Sequence, residues 1–123
     1  MNISSAAAFF PYPTHCLYAA AKGFVNQFSE GLDFELRPQG IRVLASCPGM
    51  IDTPFSFRAS GGISQKKKKL LTLSPQKAAQ LILRQIDNGT SIEVIDWRYK
   101  CLVALGRMMP KALQMRILNV SPS

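Results

Sequence analysis

Apolar residues in this chain change spacing several times, and each change marks an element. Met1-Asn2-Ile3-Ser4-Ser5 reads as the end of a strand that should have begun earlier, because a strand usually needs ~5–6 residues. A loop over Phe9 to Thr14, punctuated by Pro11 and Pro13, comes after Ala6–Ala8. From His15 to about Leu36, Leu17, Ala20, Ala21, Phe24, Val25, Phe28, Leu32 and Leu36 recur mostly at helical steps. That pattern predicts a helix with Thr14 as its N-cap. Arg37-Pro38-Gln39-Gly40 should end it, because a residue before proline avoids the helical region and glycine suits the turn.

Ile41 to Cys47 predicts a short strand closed by Pro48-Gly49. Its Val43–Ala45 patch is continuously apolar, as expected when both sheet faces are covered. Asp52 to Leu73 reads as an irregular loop, with Pro54, Gly61, Gly62 and a lysine run. A loop this long in a compact domain usually has a function or moves. Ser74-Pro75 opens the next helix with a serine cap and a proline at the first helical position. Ala78, Ala79, Leu81, Ile82 and Ile86 form its expected buried face, and Asn88-Gly89 stops it. Ser91 to Ile95 predicts a third strand, and Asp96 to Val120 a basic amphipathic helical segment interrupted at Pro110. Alternation of this kind implies an α/β fold with a parallel sheet and helices on both faces.

Composition narrows the class. The chain has 123 residues, 47% hydrophobic and 18% charged, which fits one domain and excludes a disordered or collagen-like protein. No window holds the ~18 uncharged apolar residues that a membrane-spanning helix needs. Fifteen Lys and Arg against seven Asp and Glu leave a net charge of +8, which favours nucleic acid, an acidic membrane surface or a phosphate-bearing cofactor. Lys66 to Lys69 account for much of that excess and read as a solvated loop. Cys16, Cys47 and Cys101 are odd in number and set in apolar contexts, so they read as reduced, buried thiols rather than disulfides or metal ligands. No secretory signal is expected at the start, and the expected compartment is the cytoplasm.

Tyr18 and Lys22 stand four residues apart on the predicted helix, so both project from one face. A phenol with an ordinary pKa near ~10 exchanges protons poorly at neutral pH. A nearby ammonium favours the phenolate and makes the pair useful for acid–base work. Ser5 precedes Tyr18 by 13 positions, and Cys47-Pro48-Gly49-Met50-Ile51-Asp52-Thr53 follows the next strand.

With Ser5, Tyr18, Lys22 and the Pro-Gly-x-Ile-x-Thr segment in place, the chain resembles the carboxyl-terminal half of the short-chain dehydrogenase/reductase family. The specific motifs span Asn2 to about Pro54. The resemblance implies the C-terminal portion of a Rossmann-like doubly wound parallel sheet, three strands with flanking helices. Residues 1–95 would be the partial catalytic half and 96–123 the helical segment. It implies NAD or NADP as cofactor and a small-molecule carbonyl or secondary alcohol as substrate. Tyr18 would be the general acid/base and would also contact the cofactor. Lys22 would support Tyr18 and bond the nicotinamide ribose, and Ser5 would donate to the substrate oxygen. Ser4 has the less suitable spacing for that part. Pro48, Gly49, Ile51 and Thr53 would line the nicotinamide, with Thr53 bonding its carboxamide or the phosphates. Pairing of copies through the Tyr18 helix is implied as well. His15 is read as a helix-end residue outside the site.

The departures from the family are specific. The chain has no Gly-x-x-x-Gly-x-Gly turn to meet a pyrophosphate, no Asn-Ala-Gly strand and no residue to choose between NAD and NADP. The catalytic asparagine of the preceding helix is missing too. The expectation is therefore a truncated product or fragment, inactive alone and weak in cofactor binding. The alternative is a non-catalytic remnant whose basic tail, Trp97 to Leu118, contacts a membrane surface or a partner chain. Nucleic acid is not expected, since no recognition motif is present, and neither is a metal.

Overall fold

The computed structural model describes residues 1–11, 15–54 and 72–120. Its elements in chain order are β1 (Asn2–Ile3), a 3-10 turn (Ala6–Phe9), α1 (Cys16–Leu36), a second 3-10 turn (Arg37–Gln39) and β2 (Ala45–Ser46). Next come β3 (Met50–Ile51), β4 (Thr72–Leu73), α2 (Pro75–Asn88), β5 (Ile92–Glu93), α3 (Trp97–Met108) and α4 (Lys111–Val120). Strands β1, β2 and β5 form one parallel sheet in that order, with Asn2 opposite Ala45 and Ala45 opposite Ile92. Parallel pairing and flanking helices make this an α/β fold.

The termini of the helices follow from local chemistry. Ser74 caps α2 by accepting from the Lys77 amide, Pro75 occupies its first turn, and Gly89 leaves it at φ 69°. A left-handed φ costs glycine nothing, which is why the helix stops there. After α1 the chain tightens into the 3-10 turn and reverses at Gly40, φ 77°. Asp96 caps α3 by accepting from the Arg98 amide, and Pro110 separates α3 from α4. Thr14, the expected cap of α1, lies outside the described residues. His15 stands at the cap position and makes no side-chain cap bond.

Several expectations need correction. The strand expected over Ile41–Cys47 is regular only at Ala45–Ser46, although the Leu44, Ser46 and Pro48 carbonyls accept from Asn2, Ser4 and Ala6. Part of the expected irregular loop is ordered: Met50 pairs with Thr72 and Ile51 with Leu73 in a second parallel sheet. Lys66–Lys69 and Gly61-Gly62 lie outside the described residues. Of the three cysteines only Cys47 is buried; Cys16 and Cys101 are exposed, and all three are free thiols. Cys16 belongs to the first turn of α1, and Cys101 projects from α3, so neither reaches the core.

The helix faces differ from the apolar periodicity. In α1 the buried residues are Asn26, Ser29 and Asp33, while Leu17, Phe24 and Phe28 are exposed. The polar side faces the sheet because its groups are hydrogen-bonded there: Asn2 Nδ2 donates to Ser29 Oγ at 2.9 Å, and the Cys47 thiol donates to Asn26 Oδ1 at 3.4 Å. In α2, Ala78 is buried as expected, but Ala79 and Ile86 are exposed and Gln85 is fully buried. Gln85 Nε2 donates to the carbonyls of Ala45 and Thr90, which ties α2 to β2. The core proper gathers Ala6, Cys47, Val94 and Val103, with Phe9, Phe10, Ile92 and Tyr99 packed on it.

Candidate active site

The carboxyl edge of the three-stranded sheet is where β1 and β2 release their chains. The Ala6 amide donates to the Pro48 carbonyl at 2.9 Å, which brings the segment after β1 beside the segment after β2. Open α/β sheets bind ligands at this edge. Ser5 sits here with extended backbone, φ −158° and ψ 150°, and its hydroxyl oxygen caps the 3-10 turn by accepting from the Ala7 amide at 3.2 Å.

Helix α1 brings the other two residues to the same strand end. Lys22 Nζ donates to the Ile3 carbonyl at 3.2 Å, and the Lys22 carbonyl accepts from Ser4 Oγ at 3.0 Å. The Lys22 ammonium lies 5.8 Å from the centroid of the Tyr18 ring, within the range of cation–π attraction. Tyr18 is 39% exposed, so its phenol meets solvent and can meet a ligand. The two groups are thus neighbours on one face, one turn apart. Their ring-to-cation contact is a feature that helical spacing alone leaves open.

Pro48 is buried and Ile51 and Thr53 are half-buried. Gly49 lies directly against the Tyr99 ring, which an added Cβ would overlap. Close packing of the Tyr99 ring from α3 on this segment thus uses the space that glycine leaves at position 49. Sequence reading missed Tyr99, because its contact joins residues 50 positions apart. It also missed Asp33, which is 1% exposed and accepts from Arg42 Nε at 2.8 Å, the Val43 amide at 2.9 Å and Ser91 Oγ at 2.7 Å. Bonds from Arg42 and then Arg37 and Ser91 hold its carboxyl well below the usual carboxylate range, against the opposing effect of burial. Burial pushes the Cys47 thiol the other way, upward, which leaves it protonated and inert. Among the described residues no group of acidic, histidine or cysteine side chains could hold a metal ion. No helix among them is long and apolar enough to cross a membrane.

Residues 1–61 match the family model described as short chain dehydrogenase. The chain is 39% identical over 70 residues to a serine 3-dehydrogenase of Agrobacterium fabrum, an alignment covering 57% of this chain and 28% of that protein. Its fold superposes on a short-chain dehydrogenase of Burkholderia cenocepacia solved with NADP, TM-score 0.74 at 24% identity, covering 95% of this chain and 47% of that one. A short-chain dehydrogenase of Sphingobium yanoikuyae solved with NADPH gives TM-score 0.68 at 27% identity, covering 90% and 45%. The chain therefore spans under a third of that curated relative and just under half of these structures.

Proposed function

Because the chain belongs to the short-chain dehydrogenase/reductase family, we propose that it carries the proton-transfer half of an NAD(P)-dependent oxidoreductase interconverting a carbonyl and a secondary alcohol. The observation that carries this reading is the Tyr18–Lys22 pair, a solvent-accessible phenol with an ammonium 5.8 Å from its ring centre. Tyr18 gives its phenolic proton to the carbonyl oxygen during reduction and takes it back from the hydroxyl in oxidation. Lys22 stabilises the phenolate left behind. Ser5 donates to the same substrate oxygen and fixes its position, while its own oxygen accepts from the Ala7 amide.

Two hydroxyls and an ammonium at the carboxyl edge of a parallel sheet, with Thr53 on the following segment, suit the hydride-carrying end of a nicotinamide dinucleotide. When bound, that cofactor supplies the hydride. Lys22 and Thr53 would hold it, with Pro48, Gly49 and Ile51 as its wall. The 123 residues contain no glycine-rich turn for the pyrophosphate, so most of the usual affinity is missing from this chain. Calorimetry should find NADPH and NADH bound more weakly than micromolar, and a micromolar Kd would overturn that expectation. The inactivity expected of the chain alone follows from this weak binding, so millimolar cofactor should offset it and a panel of carbonyls should show slow but measurable reduction. No turnover of any carbonyl or alcohol at that concentration would remove the enzymatic reading.

The outward stripe of α1 favours a second reading for its surface. Leu17, Phe24 and Phe28 are exposed, and the Phe24 and Phe28 rings stack with centroids 5.7 Å apart. Contiguous exposed apolar surface of this kind marks an interaction site. The proposed occupant is the same helix of a second copy, as the family resemblance implies. Light scattering on a sizing column should give twice the 13.6 kDa chain mass, reverting to one chain in Phe24→Lys/Phe28→Lys. A monomeric parent chain at tens of micromolar would contradict it.

A further inference from the structure

Resting on the oxidoreductase reading above, we infer that Ser4 is the positioning residue that holds Lys22 against Tyr18. Ser5 has the spacing of the substrate-binding serine, and its neighbour makes a different set of contacts. Ser4 is 2% exposed and its hydroxyl donates across the strand–helix gap to the Lys22 carbonyl at 3.0 Å. From the other side, Lys22 Nζ donates to the carbonyl of Ile3 at 3.2 Å. Two consecutive residues at the end of β1 therefore hold one lysine at both ends, its main chain through Ser4 and its ammonium through Ile3.

This double hold has a physical reason. A lysine stem is flexible and its ammonium is a compact charge, so its effect on a neighbouring phenol depends on where the stem is anchored. A carbonyl inside a helix has a second lone pair available, and Ser4 uses it without breaking the helix ladder. The buried Cys47 thiol at the end of β2 ties the same stretch of α1 to the sheet, donating to Asn26 Oδ1 one turn after Lys22. Ser4 thus fixes the height of α1 relative to the strand end at the turn that carries the ammonium. Successive side chains in extended chain point opposite ways, so the tandem serines divide the work: Ser4 turns inward to the helix, and Ser5 remains at the edge.

The test reads position rather than turnover, so it can fail while the oxidoreductase reading stands. In the 123-residue chain, NMR cross-peaks between the Lys22 ε-methylene and the Tyr18 ring are compared in the parent, Ser4→Ala and Ser4→Thr. The expected result is a loss of at least threefold in cross-peak intensity for Ser4→Ala and retention for Ser4→Thr, which keeps the hydroxyl. Ser4→Cys, similar in size but a weak donor, carries the same expectation if the alanine variant does not fold. Intact cross-peaks with only a lowered melting temperature would reduce Ser4 to a structural residue and overturn the inference. Absence of the cross-peaks in the parent chain would overturn it directly. Loss of carbonyl reduction with these contacts intact would instead count against the functional reading.

Discussion

Tyr18→Phe is expected to lower carbonyl reduction at millimolar cofactor by ~10²–10⁴-fold, the usual worth of a positioned general acid. The substitution deletes one oxygen from a side chain that is 39% exposed and outside the buried core. The melting temperature and the circular dichroism spectrum should therefore stay within error of the parent. The kinetic signature is a fall in kcat and kcat/KM together, as when an interaction made only in the transition state is removed. Steady-state kinetics on the parent and the variant decide it. Equal rates would mean that the proton comes from elsewhere, and Tyr18 would lose its assigned role.

Asp33→Ala should have the largest effect on folding. Its carboxylate joins α1 to the start of β2 through Arg42 and the Val43 amide, and to the loop before β5 through Ser91. Truncation leaves several donors facing a site without an acceptor, the costly half of the hydrogen-bond asymmetry. In a chain of marginal stability the expected outcome is loss of the cooperative urea transition at 25 °C. The pH dependence follows from the same bonds. A carboxyl whose folded pKa is depressed contributes stability in full above its unfolded value, here 3.8, and loses it as pH falls toward the folded value. The urea midpoint of the parent should thus be insensitive to Asp33 titration from pH 7 to 5 and should fall below about pH 4. Asp33→Asn, which retains the shape but not the charge, should start lower and flatten that acid limb. An unchanged midpoint and an identical acid limb in Asp33→Asn would sink the argument.

Local chemistry made much of the architecture legible in the chain itself. Ser74-Pro75 and Asn88-Gly89 delimit α2 at both ends, because caps, proline and left-handed glycine act within a few residues of where they stand. The breaks at Gly40 and Pro110 are legible for the same reason. Tyr18 and Lys22 share a face by helical geometry, which depends on nothing beyond the turn that separates them. What each face meets was decided elsewhere. Apolar periodicity in α1 pointed to Leu17, Phe24 and Phe28, yet Asn26, Ser29 and Asp33 are the residues that turn to the sheet. A buried polar side is tolerable only when partners satisfy it, and those partners, Asn2, Cys47, Arg42, Val43 and Ser91, lie from 9 to 58 positions away from the groups they bond. The same distance along the chain hid Tyr99 against Gly49 and the pairing of β3 with β4. Spacing and turn chemistry are properties of neighbouring residues and can be read in order. Satisfaction of buried donors and close packing are properties of the folded arrangement, because they come into being only when distant segments meet.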